Sequence, residues 1–169
     1  MSTKKRIAIN GFGRIGRAFF RMSYDHLDFE VVAINDLGDI NSLAYLLRYD
    51  TVYGHAPYTV EVAEGALVID GRKVRYVSER EPEKLPWKDE QIDLVVESTG
   101  IFTSYEKAKV HITAGAQRVV ITAPVKDASP EGKTILMGVN ESDFATCSLT
   151  SNASCTTNAA SPLVGILHD

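Results

Sequence analysis

The segment that most restricts the fold is Gly11-Phe-Gly-Arg-Ile-Gly16, because of what stands on either side of it. Before it lies Arg6-Ile-Ala-Ile-Asn10, a short, mostly apolar run of the kind that forms a strand buried on both faces. After it, Arg14 to about Tyr24 puts Ile15, Ala18, Phe19 and Met22 on one helical face and leaves Arg17 and Arg21 for solvent. In a strand–turn–helix setting Gly11 allows the tight turn, Gly13 lets the backbone approach a pyrophosphate, and Gly16 permits close packing of helix on sheet. The unpaired N–H groups and the dipole of that helix start favour phosphate charge. Glycines alone also serve ordinary turns, so a second signal is needed.

That signal is Asp36, at the end of the next strand, Glu30-Val-Val-Ala-Ile-Asn35, and 20 residues beyond Gly16. A carboxylate there can accept both hydroxyls of an adenosine ribose and would repel an added 2′-phosphate. Leu37 and Gly38 supply no cation for such a phosphate, so the pair of signals favours NAD over NADP. Asn10 and Asn35 end the first two strands at the edge where such sheets bind ligands. They either contact a ligand or satisfy exposed backbone groups. Ser98-Thr-Gly100 follows a later strand and suits either a wall around a dinucleotide or a strand-terminating turn.

Strand and helix patterns alternate along most of the chain. Asp39 is placed to cap a helix carrying Ile40, Leu43, Ala44, Leu46 and Leu47. Tyr58–Val62, Ala66–Ile69 and Lys73–Val77 break the rhythm as short β-prone runs. Glu64-Gly65 and Asp70-Gly71 separate them as hairpin turns. Leu85-Pro-Trp87 reads as a buried anchor. Asp93–Glu97 is a strand, Thr103 and Glu106 form a capping box for a helix to about Ala114, and Arg118–Thr122 is a strand. Further strands are expected near Thr134–Met137 and Cys147–Ser151, and a last helix near Cys155. The expected fold is α/β: a doubly wound, mostly parallel Rossmann-type sheet with a small antiparallel excursion around residues 58–77.

With 169 residues, 44% of them hydrophobic and 24% charged, the chain can bury a core and leaves little room for a second domain. A net charge of −4 argues against a general nucleic-acid or anionic-membrane binder. The basic start Met1-Ser-Thr-Lys-Lys-Arg is soon followed by Asn10, Gly11 and Arg14, which does not fit a secretory signal. No window approaches the roughly 20 apolar residues of a membrane span. A cytoplasmic chain is expected. Its two cysteines, Cys147 and Cys155, are too few for a disulfide scaffold, and their spacing to the four histidines does not fit a metal site.

The segment Ser151-Asn-Ala-Ser-Cys155-Thr-Thr-Asn158 surrounds a cysteine with small polar residues just before an apolar run. With Ser154 as N-cap, Cys155 takes the first helical position, where free N–H groups would stabilise a thiolate. Ser154 and Thr156 could donate hydroxyl hydrogen bonds to a neighbouring anion. A nucleophilic cysteine needs a base as well, and none of His26, His55, His111 and His168 is an obvious one. Cys155 is therefore either a nucleophile or an inert thiol, and Cys147, in a strand-like setting, reads as inert. Pro162 predicts a bend or restart in the last helix.

These pieces together resemble the N-terminal part of phosphorylating glyceraldehyde-3-phosphate dehydrogenases. The likeness rests on Ala8-Ile-Asn-Gly-Phe-Gly-Arg-Ile-Gly-Arg17, Ala33-Ile-Asn-Asp36, Leu46-Leu-Arg-Tyr-Asp50, Leu85-Pro-Trp87, Glu97-Ser-Thr-Gly-Ile-Phe-Thr103, Ala123-Pro124, Met137-Gly-Val-Asn140 and Ser151 to Asn158. The resemblance implies an NAD site built from Asn10, Gly11, Phe12, Gly13, Arg14, Ile15, Gly16, Asn35, Asp36, Arg80 near the adenine, Ser98, Thr99, Gly100, Phe102 and Thr122. It implies Cys155 as nucleophile, with Ser154 and Thr156 binding inorganic or substrate phosphate. It also implies residues 1–152 as the NAD-binding domain and 153–169 as the first helix of a catalytic domain. Family enzymes are longer, so the catalytic histidine, the substrate-phosphate arginine and most contacts of a homotetramer would lie beyond Asp169. The implied reaction takes glyceraldehyde 3-phosphate, NAD and inorganic phosphate to 1,3-bisphosphoglycerate, and the 169 residues alone are expected to be inactive. Where the family usually has a second cysteine this chain has Ala159, a change expected to alter oxidation more than turnover. A free-standing nucleotide-binding or regulatory module, and part of an erythrose-4-phosphate dehydrogenase, are the alternatives.

Overall fold

The computed structural model describes residues 4–168. The chain opens with β1 (Lys5–Asn10), α1 (Arg14–Ser23), β2 (Phe29–Asn35) and α2 (Ile40–Arg48). A small hairpin of β3 (Tyr49–Asp50) and β4 (Gly54–His55) leads to β5 (Val60–Ala63), β6 (Ala66–Ile69) and β7 (Arg72–Val77). After a 3₁₀ turn at Pro82–Lys84 come β8 (Leu94–Glu97), α3 (Tyr105–Ala108), α4 (Val110–Thr113) and β9 (Arg118–Ile121). The chain then adds β10 (Gly132–Thr134), a 3₁₀ turn at Glu141–Thr146, β11 (Leu149–Ser151) and α5 (Cys155–His168).

Nine strands form one sheet in the order β10-β11-β9-β8-β1-β2-β7-β6-β5, parallel everywhere except at β5–β6 and β6–β7. The sheet grows in both directions from β1. This is the expected doubly wound α/β arrangement, and its C-terminal edge at β1 is where such sheets take ligands.

The alternation of β1 explains the two layers. Ile7 and Ile9 point into one core with Phe12, Phe20, Ile34, Leu43 and Leu47 from the α1–α2 side. Ala8 points into the other, with Trp87, Ile92, Val95, Tyr105, Val119, Ile121 and Leu149. Val95, Ile121 and Leu149 are almost wholly buried, as strands covered on both faces require.

The excursion at 58–77 is antiparallel and lies at the edge of the main sheet, as expected. β7 pairs in parallel with β2 and antiparallel with β6, so the hairpins extend the sheet at its edge. The Asp70–Gly71 turn has φ of 44° and 79°, the mirror-image turn that matches strand twist. Five expectations need correction. The helix after residue 103 is capped by Ser104, whose Oγ accepts from the Lys107 N–H, not by Thr103. The Asp127 carboxylate accepts from the Tyr105 and Glu106 N–H groups, a cap from far along the chain. That helix breaks into two short pieces at Lys109. The strand expected at Thr134–Met137 lies earlier, at Gly132–Thr134, where it pairs with β11. The one expected to begin at Cys147 begins at Leu149. α5 runs through Pro162 without a restart.

Candidate functional site

A cleft of about 540 Å³ opens at the C-terminal edge of β1, β2 and β8. It is lined by Asn10, Gly11 and Gly13 from the first turn, Asn35 to Leu37 from the second, Glu79 and Arg80 opposite, and Ser98, Thr99, Ile101 and Phe102. Strand register explains part of the gathering. Asn10 stands beside Asn35 on one side and beside Glu97 on the other.

The glycine turn is dictated by close approach. Gly11 has φ of 91°, and a Cβ there would lie 2.6 Å from the Thr99 nitrogen. A Cβ on Gly16 would lie 2.2 Å from the Gly11 carbonyl oxygen and 3.1 Å from Ile9. At Gly13 a Cβ would meet nothing within 4 Å, so that position faces open space. Gly13 is the N-cap of α1, with no side-chain cap and no acidic residue in the first turn. The orphan N–H groups of a ten-residue helix thus start beside the cleft with room for an anion.

Asp36 joins this turn to the second strand. Its Oδ2 accepts from the Phe12 N–H at 2.6 Å and its Oδ1 from the Gly38 N–H at 2.8 Å. The carboxylate is thus held at the cleft wall, with lone pairs remaining for two ribose hydroxyls. Tyr76, which sequence reasoning missed, pins the loop from behind: its hydroxyl donates to the Asp36 carbonyl at 2.8 Å and the Gly38 carbonyl at 2.6 Å. Burial, reinforced by the charges of Asp36 and Asp39, pushes that phenol up to about 12. The arrangement suits the adenosine and pyrophosphate halves of NAD.

Several expected residues sit around the cleft without lining it. The Phe12 ring is fully buried, edge-on to Phe20 at 5.9 Å, so only its backbone serves the site, through Asp36. Arg14 and Ile15 are exposed on the first turn of α1, and Gly16 is buried under it. Gly100 is exposed with φ of 75°. Thr122 donates from both N–H and hydroxyl to the Glu97 carbonyl, each at 3.0 Å. Ser98, which does line the cleft, donates to the Gly11 carbonyl at 2.7 Å and so braces the turn. Leu37, Glu79, Pro82 and Ile101 also line the cleft; they carry no motif, and only the folded chain brings them there.

Cys155 is the first residue of α5 and is exposed. The Thr157 N–H donates to Ser154 Oγ at 3.0 Å, making Ser154 the cap that the sequence suggested. Ala153 turns the chain with φ of 57°, a conformation non-glycine residues rarely adopt. Asn158 Nδ2 ties the turn down by donating to the carbonyls of Asn152 at 2.7 Å and Ser154 at 2.9 Å. Thr156 is exposed. Cys147 is buried, and its thiol donates to the Asp143 carbonyl. Among the described residues no His, Cys, Asp or Glu group could hold a metal ion, and no helix is long and apolar enough to cross a membrane.

The comparison that decides the family is a match of residues 5–105 to the model described as glyceraldehyde 3-phosphate dehydrogenase, NAD binding domain. The chain belongs to this family. Over 164 residues it is 49% identical to the cytosolic glyceraldehyde-3-phosphate dehydrogenase of Trypanosoma brucei brucei. It is 48% identical over 167 residues to that of Thermotoga maritima, and 46% over 164 to glyceraldehyde-3-phosphate dehydrogenase A of Escherichia coli. Each match covers 97% of this chain and 49% of the relative, so the chain spans about half the length of the curated relatives it matches. The glyceraldehyde-3-phosphate dehydrogenase resemblance read from the motifs is correct, and NAD is the cofactor of the matched domain. Neither the erythrose-4-phosphate reading nor the free-standing module is favoured.

Proposed function

We propose that this chain is the NAD-binding half of a phosphorylating glyceraldehyde-3-phosphate dehydrogenase and carries that enzyme's nucleophile. The supporting observation is the Asp36 carboxylate, hydrogen-bonded at 2.6 Å to the glycine turn that opens an uncapped helix. Asp36 binds the adenosine ribose, and Gly11, Gly13 and the start of α1 take the pyrophosphate, with Arg14 and Ile15 at its rim. Gly16 serves by letting α1 approach. Arg80 lies near the adenine. Asn10, Asn35, Ser98, Thr99, Gly100, Phe102 and Thr122 form or support the floor and wall. Residues 1–152 form the NAD-binding domain, and 153–169 begin the catalytic one.

In the complete enzyme the Cys155 thiolate adds to the aldehyde carbon of glyceraldehyde 3-phosphate, giving a thiohemiacetal. Held by Asp36 and the Gly11–Gly16 turn, NAD would supply the acceptor for the hydride that leaves the thiohemiacetal carbon, while the hydroxyl proton goes to a base. The resulting thioester is attacked by inorganic phosphate, releasing 1,3-bisphosphoglycerate and the thiolate. Ser154 and Thr156 offer hydroxyls to the phosphate. The complete enzyme is a cytoplasmic homotetramer and binds neither nucleic acid nor membrane.

Among the described residues no histidine hydrogen-bonds to Cys155. A chain of these 169 residues alone is therefore expected to produce no NADH, and normal turnover by a pure sample would refute the assigned division of labour. The direct test of the cofactor reading is a calorimetric titration with NAD, with NADP as control. Saturable binding that prefers NAD is expected. Equal binding of the two would remove Asp36 from its role, and no binding by a folded sample would show the cleft incomplete.

A further inference from the structure

Behind the floor of the cleft runs a line of buried polar side chains that the proposed chemistry does not use. Glu97 ends β8 with its side chain 1% exposed, and His111 on α4 is wholly enclosed. Glu97 Oε2 lies 2.6 Å from Asn10 Nδ2 and 3.0 Å from His111 Nε2. Its Oε1 accepts from the Thr99 N–H at 2.8 Å and from the Thr99 hydroxyl. On the far side of the imidazole, Trp87 Nε1 stands 3.1 Å from His111 Nδ1.

Donor chemistry assigns the proton. An indole nitrogen can only donate, so Nδ1 of His111 accepts, and the ring N–H is on Nε2, the nitrogen that faces Glu97. A buried carboxylate is costly unless its lone pairs have donors, and here four are supplied. The line continues through Asn10, whose Oδ1 accepts from Asn35 Nδ2 at 2.7 Å. Asn35 in turn holds Glu79, donating to its carbonyl at 3.0 Å and accepting from its N–H at 2.9 Å. Glu79 and Arg80 belong to the opposite wall of the cleft. One chain of hydrogen bonds thus connects Trp87, in the core, to both walls of the cleft.

We propose that His111 and Trp87 are positioning residues for the dinucleotide cleft. Trp87 selects the imidazole tautomer, His111 donates to Glu97, and Glu97 thereby orients the Asn10 amide and the Thr99 backbone. The proposal rests on the cleft binding a dinucleotide, and its test separates the two claims.

Three variants of the 169-residue chain, His111→Leu, His111→Gln and Trp87→Phe, are titrated with NAD, and the imidazole nitrogens are observed by long-range proton–nitrogen NMR. Glutamine can both accept and donate, whereas leucine leaves Trp87 Nε1 without its acceptor and Glu97 with one donor fewer. His111→Leu is expected to bind NAD roughly tenfold more weakly, the scale of one lost hydrogen bond to a charged group, with His111→Gln recovering most of that loss. The wild-type spectrum should show the His111 proton on Nε2, and Trp87→Phe should mix or reverse the tautomers and weaken NAD binding about threefold or more. A wild-type proton on Nδ1 overturns the proposal, as does wild-type affinity in folded His111→Leu or a glutamine variant no better than leucine. Should His111→Leu fail to fold, Trp87→Phe decides by the same two readouts, since it keeps an aromatic ring in the core and every residue around Glu97 in place. If folded wild type itself binds no NAD, the cleft of this chain is incomplete and the tautomer measurement alone judges the relay.

Discussion

Gly13 and Gly16 stand three residues apart in one motif, yet the structure gives them opposite vulnerabilities. A Cβ on Gly16 would lie 2.2 Å from the Gly11 carbonyl oxygen, about 1 Å inside an ordinary contact, with Ile9 and Ser98 Oγ each at 3.1 Å. The obstacle is backbone already committed to the turn, so α1 must lift from the sheet. Overpacking of this kind costs about 1–3 kcal/mol, and a backbone obstacle puts Gly16→Ala near the upper end. For a chain of this size that corresponds to a melting temperature lower by about 6–12 °C. A Cβ on Gly13 meets nothing, and its φ of −69° suits alanine. The small loss of N-cap quality is offset by a less flexible unfolded chain, so Gly13→Ala should alter stability by less than about 1 kcal/mol. Its methyl group would nevertheless occupy the space where a pyrophosphate approaches. Loss of one charge-assisted hydrogen bond, about 1.5–3 kcal/mol, weakens NAD binding by about ten- to a hundredfold. Thermal melts and calorimetric titrations of the two variants together give the result. Wild-type affinity in Gly13→Ala, or a wild-type melting temperature in Gly16→Ala, would refute the account of the turn.

Asp36→Asn should weaken NAD binding about tenfold or more and narrow the preference over NADP, measured by paired titrations; an unchanged ratio would mean another group excludes the 2′-phosphate. Burial pushes the phenols of Tyr58 and Tyr76 up to about 12. The folded state therefore keeps protons that the unfolded chain releases near pH 10. Their contribution is complete below about pH 10 and lost as pH rises toward about 12, and urea midpoints across this range should fall more steeply in wild type than in Tyr58→Phe/Tyr76→Phe. The Tyr58 hydroxyl is buried without a hydrogen bond among the described residues, so Tyr58→Phe alone should match or exceed wild-type stability at neutral pH in the same denaturation assay. Exposed Cys155 should take up iodoacetamide well before buried Cys147, and mass spectrometry of Cys155→Ser should show the fast label gone.

What the sequence disclosed, it disclosed through local pattern. The strand–glycine–helix opening, the carboxylate ending the second strand, the Asp39 cap on Ser42 and the Ser154 cap before Cys155 are all encoded within a few residues of where they act. The features that escaped are those made by distant parts of the chain. Asp127 caps a helix more than twenty residues earlier, which no window around Thr103 contains. Tyr76 read as one more β-prone residue, although its hydroxyl holds the loop that carries Asp36. His111 carries no local sign of a role because its two partners, Trp87 and Glu97, lie elsewhere in the chain. One signal was present: Glu97 is a charge ending the apolar run Leu94-Val-Val, at the ligand-binding edge of a buried strand. A carboxylate in that place demands donors, and the search for them leads to His111.

The parallel topology also bears on how two separate motifs can serve one reaction. β11 runs parallel to β9, β9 to β8, and β8 to β1, so Cys155, just past the end of β11, emerges at the same edge as the glycine turn. Three strand spacings of about 4.8 Å put the ends of β11 and β1 roughly 14 Å apart. Asp36 lies on the other side of β1, after β2. A dinucleotide whose adenosine ribose is held at Asp36 and whose pyrophosphate crosses the start of α1 must therefore extend its remaining half toward β8, β9 and β11. That is the direction of Cys155. An antiparallel β11 would have delivered the cysteine to the opposite edge, so the hydrogen-bond register of three strand pairs is as much a requirement of the proposed chemistry as the thiol itself.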